Sequence, residues 1–261
     1  MLGENEVVGT LRRAGLLKAV QWAFDSAVRR SLDDYVPRAG YDEQWLGQTR
    51  YVLLRDRLDR VFGCEHYDVG PGEEHLGEDE LFAELSPLDR TSMPRLPAGT
   101  VRRDNLNSSP GWTFATWRLL LTSGELGQLE RIPWSQKSPT KQAVARQSGR
   151  VDPRQGALFD AEALMRRPDS EVELDKHTFV IAHALDAVAS ASELAVGLPR
   201  QGFRGEKAWH WLHFLPTGLD GNGVGDTVLD PAGPAAPTGD PLVKRRPQIG
   251  EDDARRASDD R

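Results

Sequence analysis

The sequence predicts an α+β protein: an N-terminal helical hairpin packed with a largely antiparallel β-sheet, followed by a disordered C-terminal tail. Three observations predict it. Apolar residues recur at helical spacing over 10–32 and 42–62. Short apolar runs with strand character fill 176–215, separated by turn residues. From Pro216 to Gln248 there are six prolines and six glycines and no apolar periodicity.

Residues 1–63 form the helical region. Over 10–32, Leu17, Val20, Phe24, Val28 and Leu32 make one stripe, with Thr10 as the expected N-cap. The second helix, 42–62, has Asp42 to cap it and Gly63 to end it. Tyr51, Leu54, Leu58 and Val61 share a face, and Arg55/Asp59 and Asp56/Arg60 are i,i+4 pairs expected on the wet side.

Residues 64–100 read as an acidic connector. From Cys64 to Asp89 there are nine acids and no Lys or Arg, so a surface excursion or link is expected. Only Glu78–Leu85 has the pattern of a short helix. Residues 101–215 form a mainly β region. In it, 111–121 alternates like a strand, with helix a competitor over 113–121, and Gly124 is the expected turn into 126–134. Ser138-Pro139 opens a surface helix over about 139–147, because proline's missing donor is not needed at the first helical position. Residues 148–172 are an internal linker. Thr178–Leu185, Glu193–Leu198 and Ala208–Leu215 follow as an antiparallel meander. The tail is 216–261.

Composition excludes several classes. A single cysteine, Cys64, rules out an intramolecular disulfide framework. No apolar run approaches the roughly 20 residues of a membrane span, and the first residues lack a signal-peptide pattern, so a cytoplasmic protein without a membrane partner is expected. The net charge of −7 argues against wholesale nucleic-acid binding but not against a local basic patch. Six of the 33 basic residues are Lys, an Arg bias expected of a GC-rich coding genome.

One such patch exists. Arg131, Lys137, Lys141, Arg146, Arg150 and Arg154 stand against one acid, Asp152. Lys137/Lys141 and Arg146/Arg150 are each one helical turn apart. The patch is a candidate phosphate-backbone contact, with Trp134 beside it to stack on a base. Its alternative is a solvated helix, or a partner for the acidic 65–89 stretch of the same chain.

Gln155-Gly156-Ala157-Leu158-Phe159 resembles the short linear motif by which bacterial polymerases and repair proteins dock on the replication sliding clamp. The resemblance covers five residues and implies Leu158 and Phe159 as apolar anchors and Gln155 as the polar contact. Gly156 departs from the usual apolar second residue and supplies no side-chain contact there. The alternative is that Leu158 and Phe159 pin the linker to the protein's own core.

His177, His183, His210 and His213 lie in or beside the β block, with Asp175 and Asp186 near in sequence, but their spacing does not converge on a metal site. Trp209 and Trp211 are expected on one face of their strand. No phosphate loop, calcium loop or nucleophile elbow is complete, and no cofactor is implied. The leading function is a non-enzymatic binding or accessory protein near DNA. A metal-dependent hydrolase or nuclease using Asp186, Glu193 and nearby histidines is the enzymatic alternative, although Ala195 stands where a nuclease core needs Lys. A protein-interaction module with no nucleic-acid role is the third reading.

Overall fold

Local start and stop signals set the helical layer. The computed structural model describes residues 3–68, 78–147, 174–201 and 207–218. The stripe read as one helix over 10–32 is two helices, α1 (Glu4–Arg13) and α2 (Leu16–Asp33). The chain breaks at Gly15, which takes the left-handed conformation with φ 78°. Burial continues on both sides of the break, at Val7, Val8 and Leu11 and again at Leu16 and Leu17, so the apolar pattern hides it. Thr10 is not a cap. It lies inside α1 and donates its hydroxyl to the Glu6 carbonyl.

α3 (Glu43–Phe62) has the expected ends. Asp42 accepts from Trp45 N at 2.7 Å, and Gly63 closes the helix in the left-handed region. α2 and α3 pack as an αα-hairpin. The expected wet side of α3 is partly covered: Asp59 and Arg60 are buried and Asp56 is half-buried, while Arg55 stays exposed. Asp56 and Arg60 do pair at 2.8 Å, but Asp59 turns to Arg103 instead of Arg55.

The acidic stretch supplies part of that cover, so it is not a mere surface excursion. It holds α4 (Glu78–Phe82) and α5 (Pro87–Ser92). Cys64, Tyr67, Leu85 and Met93 are buried. Arg60 donates to the Glu80 and Leu81 carbonyls, Trp22 donates to the Asp89 carbonyl, and Arg29 pairs with the Asp89 carboxylate.

Six strands form one sheet in the order β1-β2-β3-β4-β5-β6. They are β1 (Val101–Arg103), β2 (Gly111–Phe114), β3 (Trp117–Ser123), β4 (His177–Asp186), β5 (Ala191–Pro199) and β6 (Trp209–Leu215). The run 111–121 is therefore two strands, turned at Ala115, whose φ is 52°. Residues 126–134 carry short 3-10 turns rather than a strand. The meander β4-β5-β6 is antiparallel as expected. β3 and β4 instead pair parallel, with Ser123 opposite His183. α6 (Pro139–Arg146) lies in the connection between them.

The sheet is covered on both faces. Leu119, Leu121, Phe179, Ile181, Leu194 and Val196 join the core under the first three helices. Leu120, Val180, Ala182 and Ala195 join Leu129, Ile132, Trp134, Val144 and Ala145 on the other. Trp209 and Trp211 do not share a face: Trp209 packs in the second cluster and Trp211 against the first. The cause is a register shift. Leu198 pairs Trp211 and Pro199 pairs Trp209, so His210 is an extra residue that flips the alternation.

At the start of the expected tail, Thr217 is buried and Gly218 N donates to Asp25 Oδ1 at 2.9 Å. The linker at 148–172 and the tail from 219 onward lie outside the described residues. Among the described residues no helix is long and apolar enough to cross a membrane.

Candidate functional site

Buried charges mark where the molecule departs from ordinary packing, because a buried ion is normally paired. Of the four buried arginines among the described residues, three obey the rule. Arg57 and Arg60 pair with Asp56, and Arg118 pairs with Asp104 and Asp175. Arg50 is the exception. It is 5% exposed and makes no ion pair with any described residue, and its Nε has no hydrogen-bond partner. Burial alone brings its guanidinium down to about 10.

Arg50 sits on the apolar stripe of α3, four residues from both Leu46 and Leu54, which are buried. That spacing was the available sequence signal for it: a cation on a face otherwise reserved for the core.

A second buried polar group without a partner among the described residues is His183, on β4. His183 is fully buried and neither ring nitrogen has a hydrogen-bond partner. Its ring centroid lies 6.0 Å from that of Phe24 on α2. Burial pushes the imidazole well below its ordinary value, and the positive charges of Arg50, Lys141 and Lys137 push in the same direction. His183 is therefore neutral at physiological pH.

The two lysines come from the connection between β3 and β4. Lys137 Nζ donates to the Ser123 carbonyl at 2.7 Å, and Gly124 N donates to the His183 carbonyl at 2.9 Å. These bonds place Lys137 where the parallel pair β3–β4 ends. Lys141 follows on the first turn of α6. Burial, and then the charge of Lys137, bring its ammonium down to about 8. Neither lysine pairs with a described carboxylate, although Glu125 exerts an opposing field on Lys137.

The other residues of the basic stretch are placed differently. Arg146 is exposed and donates to Gln201 Oε1 at 2.6 Å. Arg131 is exposed and lines a pocket of about 630 Å³ with Glu130, Lys207, Trp209, His210 and Trp211. Arg150, together with Gln155, Leu158 and Phe159 of the clamp-like motif, lies outside the described residues. Trp134 is not available for base stacking. It is 4% exposed, donates Nε1 to the Ala208 carbonyl and packs edge-on against Trp209. Among the described residues of the acidic stretch, Glu65, Glu78 and Asp89 pair with Arg103, Arg95 and Arg29 rather than with the patch.

The carboxylates of the enzymatic alternative serve the backbone. Asp186 Oδ1 accepts from Val188 N and Ala189 N, which shapes the β4–β5 turn. Glu193 Oε2 accepts from Gly127 N at 2.9 Å. The histidines are dispersed: His177 is exposed, His183 lies under α2, and His213 faces Glu4 and Arg12. Among the described residues no three His, Cys, Asp or Glu side chains converge as metal ligands. Burial pushes the Cys64 thiol up to about 12, with Asp59 adding to it, which leaves no reactive thiolate.

Fold and site together define an α+β protein with a six-stranded mixed sheet and, in the connection that follows its β3 strand, two lysines with no described carboxylate partner. Comparison with family models, with curated proteins and with solved structures found no match.

Proposed function

We propose that the protein is a non-enzymatic binding protein for a phosphate-rich partner, with nucleic acid the partner its basic stretch suits best. Arg131, Lys137, Lys141 and Arg146 carry the contact. One observation supports this most: Lys137 and Lys141 feel each other's charge and neither pairs with a described carboxylate, in a chain whose acids outnumber its bases. A like-charged pair weakens the fold, and a bound polyanion offsets that cost. The Gln155–Phe159 segment follows α6 in the chain, and its resemblance to the clamp-docking motif fits the same setting near DNA. The hydrolase alternative draws no such support, because Asp186 and Glu193 are engaged by backbone donors.

The test is fluorescence anisotropy of a labelled duplex and a labelled single strand at about 50 mM salt. Arg131→Ala and Arg146→Ala should each weaken binding on every sequence and lower the salt slope by about 1. Wild-type protein that binds neither probe at this salt overturns the proposal.

A further inference from the structure

The link between α2 and α3 carries an aromatic column outside both core clusters. Tyr41 stacks on Trp45 with ring centroids 4.2 Å apart and planes 12° apart, and Tyr35 stands 6.3 Å from Trp45 at 20°. Tyr41 is 38% exposed, and Val36 in the same link is 46% exposed. One face of Tyr41 lies on Trp45, so what it shows to solvent is its other face and its hydroxyl edge. Residues 33–45 hold four acids and one base. Asp42 accepts from Trp45 N at 2.7 Å, and Asp34 pairs with Arg30. Asp33 and Glu43 are exposed and pair with no described cation.

Elsewhere in the molecule the same ingredients hold an arginine. Arg60 lies 4.5 Å over the Tyr67 ring and pairs with Asp56. Arg103 lies 4.5 Å over Trp112 and pairs with Asp59. Arg95 lies 5.0 Å over Phe82 and pairs with Glu78. In each case a ring and a carboxylate share one guanidinium. At the α2–α3 link the rings and the carboxylates are present, and among the described residues no arginine lies over them.

We propose that Tyr41 and Trp45, flanked in the chain by Asp33, Asp42 and Glu43, form a docking surface for an arginine-rich segment of a partner protein. A guanidinium is planar and cationic, so it extends the column of rings and answers the acids at once. A lysine ammonium answers the acids but offers no plane to stack. A nucleobase stacks but brings its phosphate toward the acids. Val36 offers apolar surface to the arginine stem. The inference goes beyond the nucleic-acid reading and does not depend on it, because it uses the helical hairpin and not the basic stretch.

The full chain is titrated against two labelled peptides of equal length and charge, one alternating Gly with Arg and the other Gly with Lys. Salt of about 100 mM screens most long-range attraction to an acidic chain. Wild-type protein should favour the arginine peptide by about threefold or more, the scale of an exposed cation–π contact. Tyr41→Leu should bring the arginine peptide down to the lysine level. Glu43→Gln should weaken arginine-peptide binding more than Glu6→Gln, which removes the same charge from α1, beyond the other end of α2. The arginine peptide should also shift the Trp45 indole N–H in NMR.

Equal affinity of the wild type for the two peptides, or an arginine preference intact in Tyr41→Leu, overturns the inference. Self-association of the wild type that Tyr41→Leu abolishes and the arginine peptide does not reverse makes a second copy the occupant, and overturns it as well. An arginine preference in a protein that binds no oligonucleotide supports this surface and overturns only the nucleic-acid function.

Discussion

Trp112 Nε1 donates to Asp59 Oδ1 at 2.8 Å, and the same oxygen accepts from Arg103 at 2.6 Å. The Arg103 guanidinium lies 4.5 Å over the Trp112 ring. Three elements meet there: Asp59 from α3, Arg103 from β1 and Trp112 from β2. Asp59→Ala leaves the guanidinium and the indole N–H without their acceptor, so it should cost about 3 kcal/mol. Urea unfolding checks this through a lower midpoint at unchanged slope. A shift below about 0.5 kcal/mol would show that the sheet edge is held by other contacts.

Asp104 controls acid stability. Burial raises its carboxyl, but hydrogen bonds from Arg118, Lys176 and Thr113 outweigh that and hold it well below the usual carboxylate range. A carboxylate depressed in the fold stabilises above its unfolded value of about 3.9, and this is lost as pH falls through the folded value. Asp104→Asn should therefore lower stability near neutral pH and flatten the acid limb below about pH 4. Urea midpoints across that range read it directly.

Lys141 makes oligonucleotide binding sensitive to mild alkali. Its ammonium is brought down to about 8 by burial and by Lys137, with Glu125 acting on Lys137. Affinity for an oligonucleotide should fall as pH rises through about 8, not near the usual lysine value of about 10.4. The ligand-free protein should do the reverse, because a base depressed in the fold gives up its destabilising charge over that interval. Lys141→Arg should move the loss of affinity to higher pH. An affinity flat across that interval in the wild type would remove Lys141 from the site.

Trp134 is structural. Its indole donates to the Ala208 carbonyl at 2.6 Å and its ring stands against Trp209 at 4.9 Å. Trp134→Phe keeps a ring but loses the donor, at a cost of about 1–2 kcal/mol. Oligonucleotide affinity should stay within about twofold of wild type. A loss of single-strand binding at unchanged stability would restore the stacking role.

Much of the fold is legible where the signal is local. Asp42 and Gly63 bracket α3 because caps are made by adjacent residues. The β4-β5-β6 meander follows from alternating runs joined by short links. Other features depend on distant partners. The parallel pairing of β3 with β4 joins residues more than fifty positions apart, and no turn residue announces it. The Gly15 break is masked by an apolar stripe that continues through it. The bulge at His210 puts Trp209 and Trp211 on opposite faces although their spacing says otherwise. The lysines of the candidate site stand out as a basic run, whereas Arg50 looks like one more helical cation until the core closes around it.

The salt dependence of oligonucleotide affinity tests the central claim most directly. Four cations, Arg131, Lys137, Lys141 and Arg146, are assigned to phosphate contact in the described region. Four such contacts on duplex DNA give log K against log salt a slope of about −3 to −4. A slope in that range supports phosphate contact by these residues. A slope near zero, or no binding at about 50 mM salt, contradicts it.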